Sequence, residues 1–496
     1  MRLFNVLRLP LLLQGFLVPL LIPPALVAAA SGDRRVLAGL CAALLLCAAE
    51  SLPVFFTLKK KPVSIPANDG FLIVSASWLL FVFAGAVPFY FSGLAFSLCD
   101  AVFESAAAFT TTGVSVRASA EMLPPALLLW KALSCWAGGA GIIILSVALL
   151  PLVGAGGFQL FRAETPGPEK ERLTPTIAAT AKRLYLIYSA LTAILFVLYL
   201  AGGMSVFDAV CHALAIVSSG SVSTKNAGFA YFDSAYIRRV TIVFMLLSGV
   251  NFNLFFLLLK GRLKDISRNT EFRAYLCLFF AASALVFLSR QSGGGDAHEA
   301  RTWTNAAFQT ASLLSTTGSA LQNFNLWPPL AQAVLFMLMM SGGCSGSASG
   351  SVKIIRHVIL CKQAAREIKH LLFPNAVFSI RLNHDAAHKD VVAGAAGFVA
   401  LYMLTVLVVT LVSAAAGLDV WASLNVAFAL LGNIGAGFGV VFEGGASGFG
   451  GNFNSFPDYI KWFYSFIMIA GRLELWTVFV LFTPLFWRGR FARRTA

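Results

Sequence analysis

The chain has 496 residues, 58% of them hydrophobic and 12% charged, with a mean hydropathy of +0.79. Soluble domains are nearer half apolar and a quarter charged, so this composition excludes an ordinary globular protein and indicates a polytopic membrane protein. The 37 Lys+Arg exceed the 22 Asp+Glu to give +15, and few but mostly basic charges on an apolar chain fit cytoplasmic loops rather than a nucleic-acid-binding surface.

With about 20 apolar residues per bilayer crossing, spans are expected near 10–30, 36–58, 71–93, 124–151, 184–202, 237–260, 273–289, 329–360, 391–416 and 457–486. The first is read as a span and not as a signal peptide, because no small-x-small cleavage site followed by a polar region ends it. Four apolar stretches, near 100–112, 208–219, 303–317 and 420–432, are too short to cross and read as re-entrant segments. Each ends in Thr, Ser, Asn and Gly.

The four stretches share one register. Gly113 follows Asp100 by 13 residues, and Gly318 follows Asn305, and Gly435 follows Ala422, by the same 13. Counted from Asp208, that register puts Ser221 at the glycine position of the second unit, and a one-residue slip would put Gly220 there. The expected fold is therefore all-α: two N-terminal spans (1–68) and four tandem helix, pore-loop, helix repeats with pseudo-fourfold symmetry (69–160, 161–265, 266–389 and 390–496). Alternating the loops places 26 of the 37 bases on one side, which by the positive-inside rule is cytoplasmic and carries both termini.

Non-helical backbone at membrane depth is tolerated only inside protein or along a water-filled cavity. Four equivalent polar turns, with glycine free to enter left-handed φ, can form a ring of carbonyls that replaces a cation's hydration shell. The candidate ligands are Thr111, Thr112, Gly113; Ser219, Gly220, Ser221; Thr316, Thr317, Gly318; and Asn433, Ile434, Gly435. The spacing points to a monovalent-cation pathway.

Six stretches also carry a family resemblance: Trp136-Ala137-Gly138-Gly139-Ala140-Gly141, Ala163-Glu164-Thr165-Pro166-Gly167-Pro168, Ser248-Gly249-Val250-Asn251-Phe252-Asn253, Gly342-Gly343-Cys344-Ser345-Gly346-Ser347, Gly432-Asn433-Ile434-Gly435-Ala436-Gly437 and Gly471-Arg472-Leu473-Glu474. Over nearly its whole length the chain resembles the membrane subunit of the Trk-type potassium uptake systems, in the superfamily that also holds the Ktr and HKT transporters. The resemblance implies potassium as the transported ion, a bacterial inner-membrane location and a homodimer. It also implies a cytoplasmic regulatory partner binding NAD or ATP. No nucleotide-binding fingerprint occurs in this chain, so that partner would be another polypeptide, and no organic cofactor is expected here. Relatives usually carry Gly-Gly-Phe-Ser where this chain has Gly220-Ser221-Val222-Ser223. In related plant transporters a serine at a filter glycine goes with sodium permeation, so the expectation is a strained Ser221 and weakened K⁺/Na⁺ discrimination.

Residues 341–350 hold four glycines and four serines and interrupt the span at 329–360. Such a run cannot keep a stable helix, at about 1 kcal/mol lost per glycine, and it resembles the family's intramembrane gating loop. Gly342, Gly343, Cys344, Ser345, Gly346, Ser347 and Gly350 are assigned to the gate, with Arg472 as a pore-side cation and Lys353 and Arg356 at the cytoplasmic exit. Glu104 and Asn251 read as interhelical hydrogen-bond partners. The eight cysteines read as buried hydrophobes, and His384 and His388 as part of a solvated loop rather than a zinc site. An intramembrane enzyme is the remaining alternative, but His, Asp, Glu and Cys do not gather at one depth.

Overall fold

The computed structural model describes residues 2–60, 69–94, 96–117, 119–153, 177–292, 299–376, 379–383, 385–386, 389–438 and 453–491. His384, His388 and the 163–168 motif lie outside these. Two N-terminal spans comprise α1 (Arg2–Gln14), α2 (Leu17–Ser31) and α3 (Arg34–Lys60). Repeat 1 follows with α4 (Asp69–Tyr90), α5 (Leu98–Phe109) and α6 (Pro125–Val153), and repeat 2 with α7 (Ile177–Ala201), α8 (Val206–Val217), α9 (Ala235–Ser248) and α10 (Phe252–Leu259). After the short α11 (Leu263–Arg268), repeat 3 is built from α12 (Thr270–Ser292), α13 (Glu299–Leu314), α14 (Pro329–Met339) and α15 (Ile354–Leu372). A hairpin of Arg381–Leu382 and Asp385–Ala386 leads into repeat 4, with α16 (Lys389–Ala415), α17 (Val420–Leu431), α18 (Asp458–Arg472) and α19 (Trp476–Phe479), and α20 (Pro484–Phe491) ends the described chain.

Among the described residues six helical segments are long and apolar enough to cross a membrane, and two bent pairs add one crossing each. Helix α6, apolar over 29 residues, and the interrupted α14–α15 bring the architecture to the ten passages expected from sequence. Three of the four second helices are broken, not one. The expected spans at 237–260 and 457–486 bend by 100° after Ser248 and by 112° after Arg472, and repeat 3 loses its helix from Met340 to Lys353, more than the 341–350 expected. Window hydropathy cannot register such bends, because the residues on either side stay apolar.

The short re-entrant helices α5, α8, α13 and α17 explain the sequence register. Ser97 and Asp100 form a reciprocal capping box, Ser205 accepts from the Asp208 amide, and Asp419 from the Ala422 amide. These caps satisfy first-turn amides that the interior could not otherwise pair. The third helix departs by starting at Glu299, six residues ahead of its register position at Asn305.

Each re-entrant helix packs on the first helix of its own repeat and on the second helix of the preceding one: α8 on α6, α13 on α9, α17 on α14, and α5 back on α18. That last contact closes the ring. A buried ion pair marks it, Lys461 Nζ to Asp100 Oδ1 at 2.7 Å.

Candidate ion pathway

The four loops begin identically. After one capping residue each chain turns left-handed at a non-glycine position: Thr111 (φ 61°), Ser219 (58°), Thr316 (55°) and Asn433 (52°). Non-glycine residues pay about 1–2 kcal/mol for this conformation, so four equivalent instances mark a constrained structure. Two residues on, Gly113, Gly318 and Gly435 are left-handed again, at φ 74°, 70° and 75°. Their amides turn back to the carbonyls of Ala107, Ser312 and Ala429, six residues earlier.

This geometry aligns Ser221, not Gly220, with the three glycines. Gly220 takes the place of Thr112, Thr317 and Ile434. Its smallness has another cause, since a Cβ there would lie 2.0 Å from Cys135 Sγ on α6. The expected strain at Ser221 is absent, because Ser221 keeps a φ outside the left-handed region. Loop 2 takes another path and presents its hydroxyl, which donates to the Thr112 carbonyl at 2.8 Å.

The loops touch one another, and Ser221 of loop 2 lies beside the glycine of each of the other three. A Cβ on Gly435 would lie 1.7 Å from the Thr112 oxygen, one on Gly318 1.8 Å from the Ile434 oxygen and 3.1 Å from Ser221 Cβ, and one on Gly113 2.1 Å from Ser221 Oγ. Glycine is therefore required at these positions both for φ and for the approach of the neighbouring backbone. Ser221 apart, polar side chains turn away into the scaffold: Thr112 Oγ1 meets Thr110 Oγ1 at 2.8 Å, Thr317 Oγ1 meets Ser315 Oγ at 2.7 Å, and Asn433 Nδ2 donates to Thr112 Oγ1 at 3.0 Å and to the Met468 carbonyl at 2.9 Å.

The chain leaving three of the loops is pinned, by a different group in each. In repeat 1 buried Glu104 accepts from the Val116 amide at 2.7 Å and from the Ser115 hydroxyl at 2.5 Å, while Lys131 Nζ pairs with its other oxygen at 2.7 Å. His212, four residues after Asp208 as Glu104 is after Asp100, meets Ser223 Oγ at 3.2 Å. Asn425 accepts from the Phe438 amide at 3.2 Å. Sequence reasoning found Glu104 but missed Lys131 and His212, for which the shared register was the available signal.

Below the loops the second helices bring a small residue to one common place. Cβ atoms on Gly139 and Gly249 would lie 2.5 and 2.4 Å from the hydroxyls of Tyr188 and Tyr275 in the next repeat. Those hydroxyls donate to the carbonyls of Trp136 and Leu246, three residues before each glycine. In repeat 3 Gly350 fills this place, where a Cβ would lie 2.3 Å from the Gly432 oxygen, and neighbouring Ser351 meets the Tyr402 hydroxyl at 3.4 Å. In repeat 4, beside Gly471, stands Arg472.

Arg472 is 3% exposed and donates to the Ala348 carbonyl at 2.7 Å and the Gly138 carbonyl at 2.9 Å, linking the break of repeat 3 to the unbroken α6. The break lies against the base of the loops. The Gly350 amide donates to Thr316 Oγ1 at 2.8 Å, the Cys344 amide to the Gly249 carbonyl at 2.8 Å and the Gly342 amide to the Val352 carbonyl at 2.8 Å. Gly343 takes the Ser349 hydroxyl as acceptor, Ser347 Oγ donates to the Cys344 carbonyl, and the Gly346 carbonyl accepts from Phe252. Lys353 Nζ is buried against the Ser349 carbonyl.

Two sequence readings change here. Asn251, read as an interhelical partner, instead caps α10 by accepting from the Asn253 amide at 2.9 Å. Arg356 pairs with Glu474 at 2.6 Å over the Phe398 ring, a partnership invisible in a sequence that separates them by 118 positions. Among the described residues no group of three His, Cys, Asp or Glu is placed to hold a metal.

Known proteins agree with this architecture. The family of cation transport proteins designated TrkH matches residues 40–293 and 295–491. The Trk system potassium uptake protein TrkH of Escherichia coli (strain K12) is 38% identical over 433 residues, 87% of this chain and 88% of that protein. The Vibrio parahaemolyticus protein of the same name is 37% identical over 456 residues, 90% and 91% of the two chains. The crystal structure of the potassium transporter TrkH from Vibrio parahaemolyticus superposes with a TM-score of 0.84 at 33% identity, covering 98% of this chain and all of that one. These relatives are transport proteins and not enzymes, and this chain is a member of the TrkH family.

Proposed function

We propose that the chain conducts potassium into the cell across the bacterial inner membrane, as the membrane subunit of a Trk-type uptake system. The supporting observation is the mutual contact of four loops, each opened by a strained left-handed residue, with the Thr112, Thr317 and Asn433 side chains turned into the scaffold. Backbone carbonyls are then the groups left to replace a cation's water. Thr111 to Gly113, Ser219 to Ser221, Thr316 to Gly318 and Asn433 to Gly435 form the filter, and the potassium ion is cargo, not a resident cofactor.

The segment from Gly342 to Gly350 is the gate, closed in the described conformation because Gly350 abuts Thr316 and Gly432 at the base of two filter loops. Arg472 holds it there by the Ala348 carbonyl. The chain acts as a homodimer, with both termini cytoplasmic and a separate nucleotide-binding subunit as its regulator. Expression with that partner in a bacterium lacking potassium uptake restores growth at low potassium, and failure to restore it would overturn the assignment.

A second reading is favoured by Ser221. Its hydroxyl donates to the Thr112 carbonyl, so one ring oxygen is shared with a protein donor. Discrimination between K⁺ and Na⁺ is then weaker than in an all-glycine ring, and reversal potentials under opposed gradients measure it.

A further inference from the structure

One holder of the broken segment stands apart from the filter. Glu271, at the start of α12, is 7% exposed. Its Oε1 accepts from the Ser345 amide at 2.6 Å, the Ser345 hydroxyl at 2.9 Å and the Ile355 amide at 3.2 Å. Ser345 lies early in the break and Ile355 opens the helix beyond it, so one carboxylate oxygen ties the two ends of the excursion together. Burying a carboxylate is costly unless donors meet it. Here two of the donors are backbone amides, one in the break and one in the first turn of α15, where amides lack helical partners.

The residue before Glu271 continues the path outward. The Thr270 amide donates to Asn383 Oδ1 at 2.8 Å, and the Asn383 amide donates to Thr270 Oγ1 at 3.2 Å. Asn383 sits at the turn of the Arg381–Leu382 and Asp385–Ala386 hairpin with φ 55°. Lys362 of α15 donates to the Arg381 carbonyl at 2.7 Å. Hairpin, α12 and α15 thus form a closed circuit through Glu271, on the side of the chain that carries the basic loops.

We propose that Glu271 is a positioning residue for the gate, a latch that seats the intramembrane segment under the filter and lets go when the hairpin is displaced from the cytoplasmic side. This rests on the gate reading of Gly342 to Gly350. Two features support it beyond a structural role. Two of the three bonds hold Ser345, in a segment without regular secondary structure, and the third holds the first turn of the helix that follows it, while the anchoring Thr270–Asn383 pair is exposed where a regulatory partner can reach it.

Cys344 is fully buried in the seated segment and reports its release. The test uses the full chain in proteoliposomes, with the exposed Cys41, Cys277 and Cys361 replaced by serine and a charged maleimide on both faces. Charge-assisted hydrogen bonds of this kind correspond to about tenfold in an equilibrium. Glu271→Gln therefore labels Cys344 about tenfold faster than the parent, with Ser345→Ala and Asn383→Gly giving smaller increases, and Rb⁺ flux without a partner rises in step. The reversal potential under a K⁺/Na⁺ gradient stays where it was.

Unchanged labelling in Glu271→Gln overturns the latch, and so does a shifted reversal potential, which reports a general loosening of the pore. Should Glu271→Gln fail to assemble, Ser345→Ala decides by the same criterion. Unchanged labelling in Asn383→Gly overturns the cytoplasmic leg. Faster labelling without added flux upholds the latch and sinks the gate reading instead.

Discussion

Loops 1, 3 and 4 follow one backbone path, and loop 2 follows another. The first three spend a glycine on a second left-handed turn; Gly318 and Gly435 press a bare Cα against a neighbouring loop's carbonyl, and Gly113 presses one against Ser221. Loop 2 shares the strained first residue, Ser219, and then relaxes, so that Ser221 escapes the penalty a left-handed serine would carry and fills the space with a hydroxyl. Fourfold repetition in sequence and in helix packing thus need not extend to the loops themselves. One quarter of the ring is held by a side-chain hydrogen bond where the others are held by backbone turns.

The comparison breaks most sharply at the glycines. Gly435→Ala places a methyl 1.7 Å from the Thr112 oxygen on a backbone that already costs an L residue about 1–2 kcal/mol. It should abolish Rb⁺ uptake at matched expression. Ser221→Ala adds no atom and should leave uptake within about twofold of the parent, since a lone buried hydrogen bond is worth about 1 kcal/mol. Equal losses in both variants would show that loop 2 is as constrained as its neighbours.

The anchors behind the loops carry the next largest effect. Loop 1 is pinned by a buried ion pair and loop 2 by a neutral contact between His212 and Ser223. Lys131→Met leaves Glu104 buried and unpaired, which should cost about 3–5 kcal/mol and appear as a lower unfolding temperature in detergent. Lys131→Met combined with Glu104→Gln should regain most of that loss. His212→Gln, by contrast, should shift unfolding by about 1 kcal/mol.

How much of this was legible beforehand depends on the kind of signal. Ten passages, four re-entrant helices and their register were readable because caps such as Ser97 with Asp100 and the turn residues are local. The bends after Ser248 and Arg472 were not, since apolar residues continue through them and only tertiary contacts show the turn. The pairs Lys131–Glu104, Arg356–Glu474 and Lys461–Asp100 were equally hidden, because which helix faces meet is decided by tertiary packing and not by local sequence. Ser221 was placed correctly by counting from Asp208, yet its strain was misjudged. Counting fixes a position in the chain, whereas φ there is chosen by what the neighbouring loops leave open.

The smallest effect is the most informative about that choice. Ser221→Ala frees the Thr112 carbonyl and keeps the Cβ, while Ser221→Gly also makes the second left-handed turn accessible to loop 2. If the hydroxyl alone weakens discrimination, both variants raise the K⁺/Na⁺ permeability ratio by the same factor, about two- to tenfold for one hydrogen bond. If the altered backbone path is responsible, only Ser221→Gly raises it, because alanine would still avoid left-handed φ. Reversal potentials of the two variants under one K⁺/Na⁺ gradient separate these cases. No change in either would remove loop 2 from selectivity and leave the ratio to the three glycine loops.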